Sequence, residues 1–144
     1  MPLQPGVDTT ESTIEVAPEF ADGLLDLDGF SHIWVLSLLH RSRAADLRVV
    51  PFLDTAPRGV FATRSPRRPN SIGLSVVRLL GIEGRAVTVE GLDLLDRTPV
   101  LDLKPYVPRF DVREAERIGW FEGRDAAVEW RRADDRHAQD RGLG

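Results

Sequence analysis

Residues 71–90 read SIGLSVVRLLGIEGRAVTVE, and this stretch decides the fold class. Apolar and β-branched residues dominate 71–80 and alternate with polar ones over 85–90, which is typical of two short strands. The intervening residues 81–84 begin and end with glycine, so they predict a tight turn. The stretch therefore predicts an antiparallel β-hairpin.

The same reading extends outward along the chain. Residues 32–40 are apolar on both faces and predict a buried strand, and shorter strands are predicted at 13–16, 47–52, 59–63 and 99–103. Pro105 and Pro108 end the last of these, because proline cannot donate to a ladder. Seven short strands without helix-length patterns between them favour a mainly β fold, a small antiparallel β-barrel.

Helical structure is predicted at two places only. Residues 21–25 predict one short helical turn, and residues 123–142 predict a C-terminal helix. In that helix Ala126, Trp130 and Ala133 share one face. Residues 134–144 are expected to be a frayed tail.

Length and composition indicate a single folded domain over residues 1–144. The chain has 144 residues, 42% of them hydrophobic and 29% charged, which are globular values. It has no cysteine, which excludes disulfides, thiolate zinc sites and iron–sulfur clusters and is compatible with a reducing cytoplasm. We expect neither a secretory signal nor a membrane span, because no apolar run approaches the roughly 20 residues that a span needs.

The net charge of −4 conceals one strongly basic strip. Residues 55–82 contain no acidic residue and five arginines, Arg58, Arg64, Arg67, Arg68 and Arg78. Such a strip can bind phosphates locally while the rest of the chain repels them. The alternative is a solvated basic loop.

Two segments carry most of the chemistry, and the first is residues 59–75. Pro66 and Pro69 fix φ and lower the entropy cost of presenting Arg64, Arg67 and Arg68. Asn70 can bond the backbone or read a base edge or ribose. Gly73, inside an apolar run, predicts a bulge or a close approach by ligand or backbone.

The second segment is residues 91–108. Asp102 and Lys104 lie two residues apart on one predicted strand, so they point the same way and can orient each other and a ligand. The alternative is a surface ion pair, worth at most about 1 kcal/mol. Asp93, Asp96 and Asp102 can in principle hold a hard cation, but we favour a capping role in turns and predict no metal.

Motifs of the common cofactor folds are absent. The chain contains no G-x-G-x-x-G, no P-loop and no H-x-x-x-H pair among its three histidines. A Rossmann-type cofactor site is therefore disfavoured by motif as well as by fold.

Both segments closely resemble the TsaA/TrmO-like family. Its pattern reads roughly G-V-F-A-T-R-x-x-x-R-P-N-P-I-G-L-S, then G-x-D-x-x-D-G-T-P-V-x-D-I-K-P-Y. The stretch from Phe30-Ser-His32-Ile-Trp34 to His40-Arg41 and the N-terminal Gln4-Pro5-Gly6 match as well, so the resemblance covers most of residues 3–121.

The resemblance implies a small β-barrel methyltransferase without a Rossmann fold. It implies that S-adenosylmethionine is the cofactor and that the substrate is N6 of threonylcarbamoyl-adenosine, the tRNA nucleoside immediately 3′ of the anticodon. It also implies a cytoplasmic homodimer with the cofactor at or near the subunit interface, and no metal.

Carried over by position, the resemblance assigns roles to single residues. The cofactor-binding candidates are Gln4, Pro5, Gly6, His40, Arg41, Arg64, Leu74, Leu92, Asp93, Leu94 and Leu95. The candidates for contact with tRNA phosphates and the threonyl carboxylate are Arg67, Arg68, Asn70 and Lys104. Asp102 and Tyr106 are the candidate catalytic bases, and a reaction without a base stays open because the acyl-type substituent makes N6 more acidic.

Three departures from the family pattern bear on these expectations. Ser71 stands where the family has proline, and Arg97 stands where it has glycine, so Arg97 must avoid a positive φ or accept strain. Family members also usually have a strand ahead of the Gln4-Pro5-Gly6 arm, and its loss would leave an exposed sheet edge. Two rival functions remain: a non-catalytic RNA-binding barrel, and a methyltransferase acting on a different small or protein substrate.

Overall fold

The computed structural model of the chain describes residues 10–39, 44–51, 54–94 and 96–124. The described residues fall into two compact units. We call residues 10–39 and 72–112 the sheet unit. The described parts of 44–71 and 113–124 form the second unit, which we call the loop unit.

Seven strands run through the described residues, which confirms the mainly β prediction. They are β1 (Glu11–Glu15), β2 (His32–Leu38), β3 (Arg48–Val49), β4 (Arg58–Gly59), β5 (Ile72–Glu83), β6 (Ala86–Glu90) and β7 (Val100–Pro105). The helical segments are short: α1 (Pro108–Asp111) and the 3₁₀ helices Pro18–Leu24, Leu27–Gly29, Val60–Ala62 and Gly119–Phe121. The predicted helix over 123–142 lies, beyond Arg124, outside the described residues, as does the predicted tail.

The sheet unit contains one five-stranded sheet in the order β1-β6-β5-β2-β7. All of its strand pairs are antiparallel, as predicted. In the loop unit β3 and β4 form a separate antiparallel pair. Closure of the large sheet into a barrel stays a prediction.

The core lies on one face of this sheet. In β2 Ile33 and Val35 are completely buried, whereas Trp34 and Leu36 point to the opposite face and are partly exposed. The core is completed by Ile14, Leu27, Val77, Val87, Val89 and Leu92. Burying one such side chain is worth about 1.5–3 kcal/mol, so the branched residues that predict the strands also hold the sheet together.

The predicted hairpin is confirmed, since β5 and β6 pair antiparallel, but its turn does not lie at 81–84. Strand β5 continues to Glu83, and the loop consists of Gly84 and Arg85 alone. Gly84 has a φ of 60°, a value that glycine adopts without steric cost at the first position of a two-residue turn. Gly81 is accommodated inside the ladder, where the register with β6 shifts between Leu79 and Gly81.

Two predicted strands are largely wrong in the loop unit. Of residues 59–63, only Gly59 belongs to a strand, and Val60–Ala62 forms a 3₁₀ helix. The Thr63 hydroxyl donates to the Val60 carbonyl at 2.8 Å, which closes that turn and overrides the strand propensity of Val60 and Phe61. Of residues 47–51, the part of the predicted strand 47–52 that the structure describes, only Arg48–Val49 belongs to a strand, and Pro51 cannot donate to a ladder.

Gly73 makes a close approach of an unexpected kind. It pairs in regular register with Ser37 of β2, so the alternative of a bulge is wrong here. A Cβ built on Gly73 would lie 2.5 Å from Ser37 Oγ and 3.3 Å from Leu39 Cδ2. The neighbour that requires glycine is thus a side chain rather than backbone. Ser37 is 1% exposed, and its hydroxyl has no hydrogen-bond partner among the residues that the structure describes.

Arg97 accepts the left-handed conformation that the family pattern fills with glycine. Its φ is 65°, in a turn ahead of β7. A left-handed conformation costs a residue with a Cβ roughly 1–2 kcal/mol. The departure from the family pattern at this position is therefore a local strain in the turn.

Candidate functional site

Residues 63–71, which we call the arginine loop, are held by their own hydroxyl groups. Thr63 is buried, and its Oγ1 accepts a hydrogen bond from the Ser65 amide at 3.2 Å. Ser65 Oγ in turn accepts from the Arg67 amide at 3.2 Å. The Arg68 amide donates to the Pro66 carbonyl at 2.8 Å. These short-range bonds give a loop with two prolines a defined conformation.

Arg68 is turned back onto this loop. Its Nη1 donates to the Thr63 carbonyl at 2.8 Å and to the Ser65 carbonyl at 3.1 Å. These two carbonyls flank Arg64 on either side. The predicted tRNA contact for Arg68 stays a prediction, but both described contacts of its guanidinium lie within the loop.

Arg67 is paired with an acid that lies outside the basic strip in sequence. Its Nη1 contacts Asp46 Oδ2 at 2.9 Å, and the Asp46 amide donates to the Arg67 carbonyl at 3.0 Å. The Arg67 side chain keeps 31% of its surface exposed, and its buried Nε has no hydrogen-bond partner in the described ranges of the chain. Arg67 therefore ties the arginine loop to the segment just before β3 and remains partly accessible.

Arg58 is engaged in the same way. Its Nε donates to Asp54 Oδ2 at 2.7 Å, and Arg124 Nη2 lies 3.7 Å from the other carboxylate oxygen. The Asp54 side chain is 5% exposed. The hydrogen bond from Arg58 lowers the pKa of the Asp54 carboxyl below its ordinary value of 3.8, outweighing the effect of burial. Asp54 is therefore a negatively charged anchor for two guanidinium groups.

An aromatic side chain completes this anchor within the loop unit. The Arg58 guanidinium lies 5.8 Å from the ring centroid of Trp120, within the range of a cation–π contact. Trp120 Nε1 donates to the Ala62 carbonyl at 2.7 Å. Asp46, Asp54 and Trp120 were not among the residues predicted from the sequence. Asp46 and Asp54 precede the basic strip in sequence, and this position is the signal that could have indicated them as partners of its arginines.

Arg64 is the exception in the arginine loop. Its side chain is exposed, and it makes no ion pair or hydrogen bond with any residue that the structure describes. Asn70 is exposed as well. Next to it, Ser71 Oγ donates to the Pro66 carbonyl at 2.7 Å and approaches the Arg68 carbonyl at 3.3 Å. A loop held by its hydroxyl groups and by Arg67 and Arg68 thus presents one cation, Arg64, that has no partner among the described residues.

The sheet unit holds a second set of candidates on β7. Lys104 Nζ lies 3.2 Å from Asp102 Oδ2, which confirms that the two side chains point the same way. The side chains are 61% and 49% exposed respectively. The pair is therefore a surface ion pair of modest strength that leaves both groups accessible to a ligand.

Tyr106 follows this pair and packs against aromatic neighbours. Its ring meets Trp34 edge-on at a centroid distance of 5.7 Å and His32 at 6.3 Å. Its amide donates to the His32 carbonyl at 3.1 Å, which fixes the chain beside β2. Tyr106 thus continues the face of the sheet that carries Asp102 and Lys104.

The apolar cofactor candidates in the sheet unit differ in exposure. Leu74 is 61% exposed, on the face of β5 opposite the core, and is free to contact a ligand. Leu92 is 8% exposed and belongs to the core, so a ligand contact there must use its backbone. Leu94 packs partly against the same core. Asp93 is exposed and already engaged in an interaction within the protein.

The remaining candidates lie outside the described residues. They are Gln4, Pro5, Gly6, His40, Arg41 and Leu95. The described part of the chain contains no group of three acidic or histidine side chains placed to hold a metal ion. It also contains no helix long and apolar enough to cross a membrane.

Comparison with known proteins connects these observations to a family. The family model of the tRNA-methyltransferase O N-terminal domain matches residues 1–112. A probable S-adenosyl-L-methionine-binding protein of Pyrococcus abyssi is 50% identical over 126 residues, which cover 88% of this chain and 68% of that protein. A mouse tRNA (adenine(37)-N6)-methyltransferase is 45% identical over 91 residues, covering 61% of this chain and 21% of that enzyme.

Solved structures agree with the sequence comparison. A crystal structure of TrmO superposes with a TM-score of 0.64 at 46% identity, covering 76% of this chain and 49% of that one. TrmO from Pseudomonas aeruginosa gives a TM-score of 0.62 at 43% identity, with 76% and 48% covered. The chain thus spans about half the length of the solved TrmO chains. With residues 1–112 matched and the antiparallel sheet in place, the resemblance is confirmed: this chain belongs to the family of the tRNA-methyltransferase O N-terminal domain.

Proposed function

We propose that the protein is an S-adenosylmethionine-dependent methyltransferase that acts on N6 of threonylcarbamoyl-adenosine beside the tRNA anticodon. Family membership and the names of the relatives support this proposal. The observation that carries it is the exposed, uncommitted Arg64 in a loop whose other arginines are engaged. A guanidinium that has no partner within the described part of the chain suits a ligand carboxylate, which it can bind in a bidentate manner.

On the donor side, the family resemblance supplies the candidates. Arg64 is our candidate for binding the methionyl carboxylate. Leu74 is our candidate for apolar contact with the adenine ring, because its side chain is 61% exposed. The backbone of Leu92, Asp93 and Leu94 is our candidate for recognising the edge of that ring. The further candidates from the resemblance are Gln4, Pro5, Gly6, His40, Arg41 and Leu95.

On the substrate side, we propose that Lys104, Asn70 and Arg67 face the tRNA. Lys104 is 61% exposed, so its ammonium stays accessible to the threonyl carboxylate although it lies 3.2 Å from Asp102 Oδ2. Asn70 is exposed and can both donate and accept a hydrogen bond. The exposed part of Arg67 can approach a phosphate while its ion pair with Asp46 keeps the loop in place.

The chemistry is an in-line displacement at the methyl carbon. S-adenosylmethionine supplies an electrophilic methyl group on a sulfonium. The N6–carbon bond forms as the carbon–sulfur bond breaks, the electron pair of that bond stays on sulfur, and the N6 proton leaves. Asp102 is our candidate to accept that proton, because its carboxylate lies on β7 and is exposed, and Tyr106 is the alternative. Positioning of the two reactants supplies most of the rate.

We also propose that the large sheet closes into a β-barrel, that the protein is a homodimer and that it acts in the cytoplasm. The sheet order leaves β1 and β7 as terminal strands, which barrel closure would satisfy. The lack of cysteine suits a reducing compartment. Analytical ultracentrifugation of the full chain tests the dimer directly.

The deciding experiment combines calorimetric titration with S-adenosylmethionine and a methylation assay. The substrate is tRNA carrying threonylcarbamoyl-adenosine, and unmodified tRNA is the control. The proposal is supported if the protein binds S-adenosylmethionine and transfers the methyl group to the modified tRNA but not to the unmodified tRNA. tRNA binding without cofactor binding would identify a non-catalytic RNA-binding protein. Cofactor binding without transfer to either tRNA would point to a different small-molecule or protein substrate.

A further inference from the structure

We propose that Arg68 and Ser71 are positioning residues, which hold the arginine loop in the conformation that presents Arg64, and that Arg68 is not a contact for tRNA phosphates. The inference rests on the proposed function, since it concerns how Arg64 reaches the cofactor. It assigns Arg68 a role different from the one that the family resemblance implies.

The first argument is the placement of the two carbonyls that Arg68 binds. Nη1 of Arg68 bonds the carbonyls of Thr63 and Ser65, the residues on either side of Arg64. The Thr63 carbonyl lies in the peptide unit just before Arg64, and the Ser65 amide, in the unit just after Arg64, donates to Thr63 Oγ1. The Ser65 carbonyl lies in the following unit, so three successive peptide units are held. This restricts the backbone of Arg64 and therefore the direction in which its side chain leaves the loop. The two bonds are charge-assisted, which makes them stronger than bonds between neutral groups.

Arg68 also offers less to a phosphate than Arg64 does. Arg68 is only partly exposed, whereas Arg64 is exposed. Both hydrogens of the Arg68 Nη1 are used by the two carbonyls, so only Nε and Nη2 remain for another acceptor. A phosphate that drew this guanidinium outward would loosen the segment that presents Arg64.

The third argument is Ser71, which closes the other end of the loop. Its hydroxyl donates to the Pro66 carbonyl at 2.7 Å and reaches the Arg68 carbonyl at 3.3 Å. Ser71 occupies the position at which the family pattern has proline. A proline ring restricts the chain covalently, and Ser71 achieves a similar restriction by hydrogen bonds across the loop. Ser71 and Arg68 therefore brace the loop at its two ends.

The test uses the full chain, with cofactor affinity and tRNA affinity measured separately. We expect Arg68→Ala to weaken S-adenosylmethionine binding at least about tenfold. The slope of log K for tRNA against log salt concentration should stay at the wild-type value, since one phosphate contact is worth nearly one unit of slope. Arg68→Lys should not restore cofactor affinity, because lysine lacks the fixed geometry of the guanidinium. Arg48→Ala, which removes an exposed arginine of the same unit, is the matched control and should change neither quantity.

Ser71 gives an independent pair of variants. We expect Ser71→Ala to weaken cofactor binding and Ser71→Pro to retain it, because proline replaces the hydrogen bonds by a ring. A lowered salt slope in Arg68→Ala with intact cofactor affinity would overturn the proposal in favour of a phosphate contact. So would unchanged cofactor affinity in both Arg68→Ala and Ser71→Ala.

Amide hydrogen exchange separates this inference from the proposed function. The amides of Ser65, Arg67 and Arg68 are bonded within the loop, so they should exchange faster in Arg68→Ala and Ser71→Ala than in wild type. This readout needs no cofactor. If the wild-type protein does not bind S-adenosylmethionine, the proposed function fails. If the exchange rates of these amides are the same in both variants as in wild type, the inference that Arg68 and Ser71 hold the loop fails.

Discussion

Replacing Gly73 by alanine should destabilise the protein through one identifiable contact. The added Cβ would lie 2.5 Å from Ser37 Oγ, a distance that requires a shift of atoms inside a regular antiparallel ladder. Ser37 is 1% exposed and cannot move outward into solvent. Overpacking of a dense interior costs about 1–3 kcal/mol. For a chain of this length the melting temperature should fall by roughly 3–10 °C.

The cost should depend on the Ser37 hydroxyl. That group has no hydrogen-bond partner among the described residues, so Ser37→Ala removes a buried unsatisfied polar atom and should stabilise the protein by on the order of 1 kcal/mol. In the Ser37→Ala background, the alanine at position 73 loses its closest neighbour. The next contact is Leu39 Cδ2 at 3.3 Å, the end of a side chain that can rotate. The destabilisation should therefore shrink by at least about 1 kcal/mol in the double variant.

Urea denaturation of the four proteins in this cycle measures the coupling. Gly81→Ala is the matched control, because Gly81 lies in the same strand and a Cβ there meets nothing within 4 Å. It should change stability by less than about 1 kcal/mol. Additivity of Gly73→Ala and Ser37→Ala within about 0.5 kcal/mol would refute the reasoning. A Gly73→Ala variant as stable as the Gly81→Ala control would do the same.

Three further predictions concern other positions. Arg97→Gly should raise the free energy of unfolding, measured by thermal denaturation, by about 0.5–1 kcal/mol, because it removes a side chain from a left-handed position at some cost in the entropy of the unfolded chain. Asp26→Gly, at a φ of 69°, is the control and should gain less, because aspartate tolerates this region. The pKa of Asp54 is lowered by Arg58, so the stability that this ion pair contributes is complete above the ordinary value of 3.8 and is lost as the pH falls through the lower pKa of the folded state; Asp54→Asn should flatten that acid limb, and an unchanged limb would contradict the assignment. Arg64→Ala should weaken S-adenosylmethionine binding at least about tenfold in calorimetry while the circular dichroism spectrum stays that of wild type, and wild-type affinity in a folded variant would remove Arg64 from the donor site.

Much of the sheet could be predicted because its strands follow local patterns. The apolar and β-branched residues of β2 and β5 form strands as predicted, and Pro105 ends β7 as expected. The prediction that β2 is buried on both faces is wrong, because Trp34 and Leu36 lie on the face opposite the core and are partly exposed. Val60–Ala62 has the same strand-like composition but forms a 3₁₀ helix, because the hydroxyl of the following Thr63 satisfies the Val60 carbonyl. A side-chain bond to the backbone of this kind competes with strand formation and is not visible in a propensity.

The motifs identify the candidate residues, but they do not show which of the arginines form ion pairs in the folded chain. The sequence shows a basic strip without acidic neighbours. In the folded chain Asp46 pairs with Arg67, and Asp54 pairs with Arg58. Asp54 lies immediately before the strip and four residues before Arg58. Asp46 lies 21 residues before Arg67, so its pairing cannot be inferred from proximity in sequence. Which arginine stays uncommitted depends on such contacts, so only the structure separates Arg64 from Arg67 and Arg68.

The loop unit is discontinuous in sequence, and this has a consequence for the order of folding. Residues 72–112, which belong to the sheet unit, are synthesised between the two described parts of the loop unit, 44–71 and 113–124. The contacts of Trp120 with Ala62 and of Arg124 with Asp54 each close a span of more than fifty residues. The entropy of closing such long loops must be lost before these contacts form, which places them late. On the ribosome, the arginines at 64–68 would therefore emerge early and gain their full support only after the segment containing Trp120 and Arg124 has followed.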